Sequence, residues 1–205
     1  MSGIIAQNSG RHTGLVKASS AGGVWNLIKT YTASSDSDLS FVDGTDGVDF
    51  TAYDEFVFKF IAIHPADANK NLTFQCSTDG GSSYGVTLTS TTFVVYHAEN
   101  DSENLGPNYE AGSDQAQTTN FQRLTQETGN DADSCAVGTL NLFNPSSTTF
   151  VKHFTNVMNS CFQNSYTTQL FQAGYFNTTS AIDAIQFKFN SGNIDAGQIS
   201  LYGIS

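Results

Sequence analysis

The sequence predicts an all-β fold, an antiparallel β-sandwich or jelly roll of about ten strands with an extended N-terminal arm. Short apolar runs with period-two alternation recur along the chain, separated by turn signals rich in Gly, Asn and Ser. No segment has the apolar spacing of a convincing amphipathic helix. The composition agrees, because 39% of the residues are hydrophobic and 16 are Phe, whereas only 13% are charged.

The first element is an arm over residues 1–23, and a single β-sandwich domain is expected over residues 24–205. The arm is rich in Gly, Ser and Ala, with only the short apolar pairs Ile4-Ile5 and Leu15-Val16. Because these pairs cannot form a core, the arm either docks on a neighbouring molecule or frays as a terminus. A chain of 205 residues is long enough to bury a core without disulfide bonds.

The clearest strand prediction covers residues 55–63. Phe56, Phe58 and Phe60 recur at period two and therefore share one face. The opposite face is also apolar and carries Val57, Ile61 and Ile63. We therefore expect a central strand that is covered on both faces.

The remaining strands follow from similar runs, bounded by turn residues. Asp79-Gly80-Gly81-Ser82 is predicted to be the tight turn of a hairpin. A short helix near residues 119–127 is the alternative to a strand in that region. The other strands are expected at residues 24–32, 39–42, 71–77, 92–97, 121–125, 136–143, 149–158, 166–176, 184–190 and 198–203.

The charge of the chain argues against nucleic acid and membranes as partners. The formal net charge is −11, and the eight Lys and Arg residues form no cluster. Nucleic-acid phosphates and anionic lipids both require clustered cations. The sequence also lacks a run of about 18 apolar residues and the pattern of a secretory signal peptide. We expect no nucleic-acid binding and no membrane insertion.

The three cysteines, Cys76, Cys135 and Cys161, match no zinc-binding spacing. Free Cys usually behaves as a small buried hydrophobic residue. We therefore expect three reduced thiols that react slowly until the protein unfolds, as suits a protein that folds in a cytosol.

No motif for catalysis or for a cofactor is present, so we expect neither enzymatic activity nor a bound cofactor. Asp43, Asp46 and Asp49 lie in a Gly-containing run and are weak candidates for calcium ligands. Their spacing differs from that of an EF-hand, and solvated turn residues are the competing interpretation. A glycosidase needs two carboxylates across a cleft, whereas most acids of this chain lie in predicted turns.

Residues 98–118 form the longest stretch without strand signals, and such loops are often functional. This acidic segment contains Tyr109 with Asn104, Asn108 and Gln115. A Tyr ring can stack on a sugar while amides bind its hydroxyl groups. We interpret these residues as a candidate receptor or assembly site, with a mobile loop as the alternative. Tyr84 is a further candidate exposed aromatic residue.

Four segments of the sequence are distinctive: residues 77–85, 144–154, 173–182 and 191–203, of which the last, ending in Leu-Tyr-Gly, is the most distinctive. These segments resemble segments of virion surface proteins of marine bacteriophages. The resemblance covers residues 25–205 and implies a β-sandwich displayed as a tail-fibre, tail-tip or head-decoration element. It supplies no catalytic residue.

Together these observations predict a non-enzymatic structural component of a bacteriophage virion, with host-receptor glycan binding as an additional role. The expected partners are other virion proteins and copies of the chain itself, in a homo-oligomer such as a trimer. The expected location is the virion, which is assembled in the host cytoplasm and released by lysis. The alternative is a carbohydrate-active enzyme or a lectin-like glycan-binding module on a jelly roll.

Overall fold

A computed structural model describes residues 24–163 and 165–205 as an all-β chain in which two antiparallel sheets pack face to face. This arrangement confirms the predicted β-sandwich. The predicted arm over residues 1–23 lies outside the described residues. The thirteen strands are β1 Trp25–Asp36, β2 Leu39–Val42, β3 Glu55–Pro65, β4 Leu72–Ser77, β5 Leu88–Ala98, β6 Asn104–Tyr109, β7 Gln115–Thr118, β8 Gln122–Arg123, β9 Ala136–Phe143, β10 Lys152–Phe162, β11 Tyr166–Phe176, β12 Ala184–Phe189 and β13 Ile194–Ile204.

The two sheets differ in size. The large sheet has the order β1-β13-β3-β9-β10-β11-β5-β6, and β7 also pairs with β5. The small sheet has the order β2-β12-β4-β8. Since the large sheet has nine strands and the small one four, the small sheet can cover only part of one face of the large sheet.

The two sheets share one hydrophobic core that is rich in phenylalanine. The ring centroid of Phe187 in the small sheet lies 5.1 Å from that of Phe58 and 5.2 Å from that of Phe60 in the large sheet. Phe74 makes a similar contact with Phe154 across the sheets, at 5.1 Å. Full burial of each Phe side chain contributes about 1.5–3 kcal/mol. Inter-sheet Phe contacts therefore hold the sandwich together.

Strand β3 is central, as expected, because it pairs with β13 on one side and with β9 on the other. Full coverage of both faces is wrong, however, since Lys59 and Ile61 are exposed. The pairing register shifts between Phe60 and Ile63, and Ala62 adopts a φ of 51°. This bulge returns Ile63 to the core side of the strand, where it is fully buried.

The predicted hairpin at residues 79–82 is a turn between sheets instead. Strand β4 before it pairs with β12 and β8, whereas β5 after it pairs with β11. The carboxylate of Asp79 accepts hydrogen bonds from Ser83 N at 2.9 Å and from Ser77 Oγ at 2.7 Å. Hydrogen bonds to this carboxylate, of which the one from the Ser83 side chain has the largest effect and the one from Ser77 the next largest, lower the pKa of Asp79 to about 2. The Asp, Gly and Ser residues form the predicted turn, but such residues specify a chain reversal and not the partner of each strand.

The expectation of a long loop over residues 98–118 is wrong. These residues contain β6 and β7, both of which pair with β5. The strand predicted at residues 121–125 is confirmed in shorter form, because β8 pairs with β4, and the alternative of a helix there is not found. Strands β6, β7 and β8 are edge strands, whose pairing depends on backbone hydrogen bonds that leave little apolar pattern in the sequence. Within residues 24–163 and 165–205, no helix is long and apolar enough to cross a membrane.

Candidate functional site

One face of the large sheet is turned away from the small sheet. On strands β5, β9, β10 and β11, residues that point to the interior alternate with residues that are exposed or half-buried. We call the second set, with Asn104 and Tyr109 of the adjoining edge strand β6, the outer face. On these four strands it consists of Thr89, Thr91, Phe93, Val95, His97, Val137, Thr139, Asn141, Phe143, His153, Thr155, Val157, Asn159, Cys161, Thr167, Gln169, Phe171, Ala173 and Tyr175.

The outer face of these four strands carries no Asp, Glu, Lys or Arg, although the chain has 19 acidic and 8 basic residues. Charged side chains normally occupy solvated surfaces. Their depletion, together with exposed aromatic residues, is the compositional signal of the buried centre of a protein interface. The outer face therefore has the composition of a contact surface.

An apolar ridge crosses this face at right angles to the strands. Val157 lies opposite Phe171, which lies opposite Phe93, which in turn lies opposite Tyr109 on β6. Their exposed fractions are 39%, 41%, 48% and 52% in that order. Since neighbouring strands are about 4.8 Å apart, the ridge is about 14 Å long. Four large apolar side chains in one exposed row form a continuous patch, which marks a site of contact more often than scattered residues do.

A shallow trough runs beside the ridge, two residues further along each strand and therefore about 6.7 Å away. Ala173 lies at its centre, with Thr155 opposite it on one side and Thr91 on the other. His153 and Tyr175 form its far wall, with ring centroids 5.8 Å apart. The trough has a volume of about 360 Å³ and is lined almost wholly by carbon atoms. We define the trough by Thr89, Thr91, His153, Thr155, Ala173 and Tyr175.

Two of the predicted site residues lie on the outer face. Tyr109 is exposed at one end of the ridge, and its hydroxyl donates a hydrogen bond to Asp114 Oδ2. That hydrogen bond, together with partial burial and the charge of the carboxylate, raises the pKa of Tyr109. Asn104 lies opposite His97, an outer-face residue. A register shift between β5 and β6 places Asn104 and Tyr109 on the same face.

The other two predicted residues lie elsewhere. Asn108 is opposite Val94, which points into the interior, so Asn108 belongs to the opposite side of the sheet. The backbone N–H of Gln115 donates to Ser90 Oγ at 3.0 Å, and Gln115 is half-buried. The four residues therefore do not form one site.

Buried amides hold the segment that carries these residues against the sheet. Gln122 Nε2 donates to Ser113 O at 2.7 Å, and Ser90 Oγ donates to Gln122 Oε1 at 2.6 Å. Gln172 Nε2 on β11 donates to Arg123 O at 2.7 Å. Because buried polar groups are costly unless they are paired, this network fixes the segment. A segment that is paired and anchored in this way is an extension of the sheet and not a free loop.

Tyr84 is half-buried, contrary to the expectation that it is exposed. Burial raises its pKa, a hydrogen bond with Ser40 acts in the opposite direction, and the charge of Asp38 adds to the increase. Its ring is therefore poorly placed for stacking on a ligand.

The calcium candidates face separate partners. Asp43 Oδ1 accepts a backbone N–H at 2.7 Å. Asp46 Oδ2 pairs with Lys29 Nζ at 3.0 Å, and Asp49 Oδ1 accepts the hydroxyl of Thr51 at 2.6 Å. In the described part of the chain, no group of three or more His, Cys, Asp and Glu side chains is arranged to hold a metal ion. These contacts support the interpretation as turn residues.

The cysteines are free, but only Cys76 is fully buried. Cys135 and Cys161 are half-buried, and the backbone N–H of Cys161 donates to Cys135 O at 3.1 Å. They continue the β9–β10 register by one step beyond the pair of Ser160 and Ala136, so the two cysteines lie directly opposite each other. Burial raises the pKa of the Cys76 and Cys135 thiols. The expectation of three buried thiols therefore holds for Cys76 alone.

The chain matches no model of a known protein family, no curated protein and no solved structure. The resemblance to bacteriophage virion proteins consequently stays a prediction from the sequence. The fold and the outer face are the observations from which a function can be inferred.

Proposed function

We propose that the chain is a non-enzymatic structural component of a bacteriophage virion, a tail-fibre, tail-tip or head-decoration module whose outer face is covered by another protein surface. The observation that carries this proposal is the outer face itself. It combines an exposed apolar ridge with a lack of Asp, Glu, Lys and Arg among the outward-facing residues of four adjacent strands. Exposed apolar area is stabilised by burial at about 25 cal/mol per Å².

The charge distribution supports an assembly role. Copies of a chain with net charge −11 repel each other when they are packed closely. At a separation of 4 Å, one pair of like charges costs about 1 kcal/mol in water and about 4 kcal/mol at the effective dielectric near a protein surface. A contact surface without acidic residues avoids that cost. The remaining acidic surface keeps the particle soluble.

The sequence supports the virion as the setting of this assembly. Residues 191–203, which end in Leu-Tyr-Gly, form most of β13 and resemble the closing segment of marine bacteriophage surface proteins. In the fold this strand lies between β1 and β3 and contributes Ile199 and Leu201 to the core. The distinctive segment is therefore part of the sandwich scaffold.

Glycan binding is a second candidate function, favoured by one observation. Tyr109 and Phe93 expose their rings at the edge of the outer face, with the amide of Asn104 on the same face. Such rings can stack on the apolar face of a sugar.

The substitution Tyr109→Ala separates the two roles. For an assembly contact we expect fewer or less stable particles and unchanged host adsorption per particle. Reduced adsorption with an unchanged particle yield would instead establish receptor binding at this residue. Phe150→Ala is the matched control, because Phe150 is 69% exposed and lies outside the outer face.

Mass spectrometry of purified virions that encode this chain tests the proposed function. We expect peptides of the chain at the stoichiometry of a multi-copy structural protein. A chain that is recovered only in the soluble lysate would overturn the virion role. Depolymerisation of host-surface polysaccharide by the isolated protein at low concentration would overturn the non-enzymatic role.

A further inference from the structure

We propose that the partner of the outer face is a second copy of this chain, packed about a twofold axis so that the ridge of each copy inserts into the trough of the other. The inference rests on the proposed structural role and names the partner of its contact surface. It follows from the relative positions of the ridge and the trough, from the charge of the face and from its area.

Ridge and trough are arranged for self-complementary packing. Both cross β10, β11 and β5, and Phe171 on the ridge is separated from Ala173 in the trough by one residue of the same strand. The two features are therefore parallel and about 6.7 Å apart. A twofold axis in the plane of contact, parallel to them and midway between them, places each ridge over the trough of the other copy. Such an isologous contact uses one surface patch twice.

The shape and chemistry of the trough favour an apolar side chain as its occupant. Ala173 leaves the gap, and the walls are Thr methyl groups and the rings of His153 and Tyr175. A sugar would bring hydroxyl groups that need hydrogen-bond partners, whereas the lining is almost wholly carbon. A Phe side chain loses no hydrogen bond when it enters such a trough. The ridge of a second copy supplies Phe93 and Phe171.

The distribution of charge over the surface favours the same face for self-association. Each copy has a net charge of −11, so any pairing through an acidic surface would bring like charges together. On β5, β9, β10 and β11 the outer face has no carboxylate of its own. Carboxylates border this face, since Asn141 bonds to Glu55, His97 to Asp101 and Tyr109 to Asp114. A contact centred on Phe171 and Ala173 leaves these three acids at its rim. A partner that recognised this chain by opposite charge would instead dock on the acidic loops.

The area of the face reaches the lower limit for a specific interface. Five strands from β9 to β6 are separated by four gaps and span about 19 Å, and the outer positions of one long strand span about 27 Å. Their product is roughly 500 Å² per copy, so two copies bury about 1,000 Å² in total, which is the lower limit for a specific complex. Two such sheets pack about 10 Å apart with their strands nearly aligned. The face is therefore large enough to hold two copies together.

Sedimentation equilibrium of the full chain, with two charge variants, tests this contact. We expect the wild-type chain to form a dimer with increasing concentration. Phe171→Glu and Ala173→Lys should each raise the dissociation constant at least about thirtyfold, because each buries an unpaired charge twice in a symmetric dimer. An equimolar mixture of the two variants should regain dimers, since the introduced carboxylate of one copy then meets the introduced ammonium of the other. Phe150→Glu is the control and should dimerise like the wild type.

Circular dichroism and thermal unfolding establish that each variant is folded; both substituted positions are exposed, so we expect melting temperatures near that of the wild type. A wild-type chain that remains monomeric, a dimer that both variants leave intact, or a mixture without rescue would each overturn the proposal. A monomeric chain that is nevertheless abundant in purified virions would overturn this contact alone. A dimer in solution that is missing from virions would overturn the proposed function alone.

Discussion

The contact between the two sheets can be tested at Phe187, which is fully buried in the small sheet. Its ring centroid lies 5.1 Å from that of Phe58, 5.2 Å from that of Phe60 and 6.2 Å from those of Phe41 and Phe74. Truncation of a buried Phe to Ala costs about 3–5 kcal/mol, because apolar contact is lost and a cavity remains. The aromatic pairs add to the upper end of that range. We therefore expect Phe187→Ala to lower the free energy of unfolding by about 4 kcal/mol.

Urea unfolding followed by far-UV circular dichroism measures this loss. With a slope of about 2 kcal/mol/M, a change of about 4 kcal/mol moves the midpoint down by about 2 M. Phe187→Leu keeps most of the apolar volume and should cost about 1–1.5 kcal/mol. Phe150→Ala, at a residue that is 69% exposed, should stay within about 0.5 kcal/mol of the wild type. A loss below about 1 kcal/mol for Phe187→Ala, with an unchanged slope, would refute the view that inter-sheet Phe packing holds the fold together.

Two further predictions concern thiols and a buried amine. Treatment with oxidised glutathione should link Cys135 to Cys161, because directly opposed residues of an antiparallel pair have Cα atoms about 5.5 Å apart. Peptide mass spectrometry should find this disulfide and should find the buried Cys76 still reduced. A mixed linkage or the absence of a linkage would contradict the opposed placement of the two cysteines. Burial lowers the pKa of Lys152, whose Nζ donates to Thr178 O at 3.2 Å, so its protonated form is less favourable in the folded than in the unfolded state. Lys152→Met should therefore raise the free energy of unfolding at pH 7, and the gain should shrink as the pH rises towards 10.5, the ordinary pKa of Lys. A destabilised variant would contradict this reasoning.

The sequence was sufficient to predict the strands that build the core. In β3 and β12, Phe residues recur at period two, and the burial of Phe58, Phe60 and Phe187 follows that alternation. The alternation failed at Ala62, because a bulge changes which side of the strand the next residue faces. Such bulges depend on tertiary pairing that a local pattern does not record.

The edge strands and the candidate site were much harder to predict. In β6 the residues are almost all exposed, so a strand that is paired through its backbone looks like a polar loop. The sequence predicts that Tyr109 is exposed, whereas its neighbours in the ridge, Phe93 and Phe171, fall within predicted strands with no sign that they are exposed. These residues are far apart in sequence, and only the register of β5, β6 and β11 brings them into one row. Their shared exposure became visible only after the pairing was known.

The central claim, that the outer face is a covered contact surface in the virion, is tested most directly by an electron-microscopy density map of an intact particle. We expect the β5, β9, β10 and β11 surface of each copy to lie against another protein surface, with Phe171 buried in the contact. The acidic loops should face solvent. A map in which the outer face is open to solvent, while the small sheet makes the contacts, would contradict the claim.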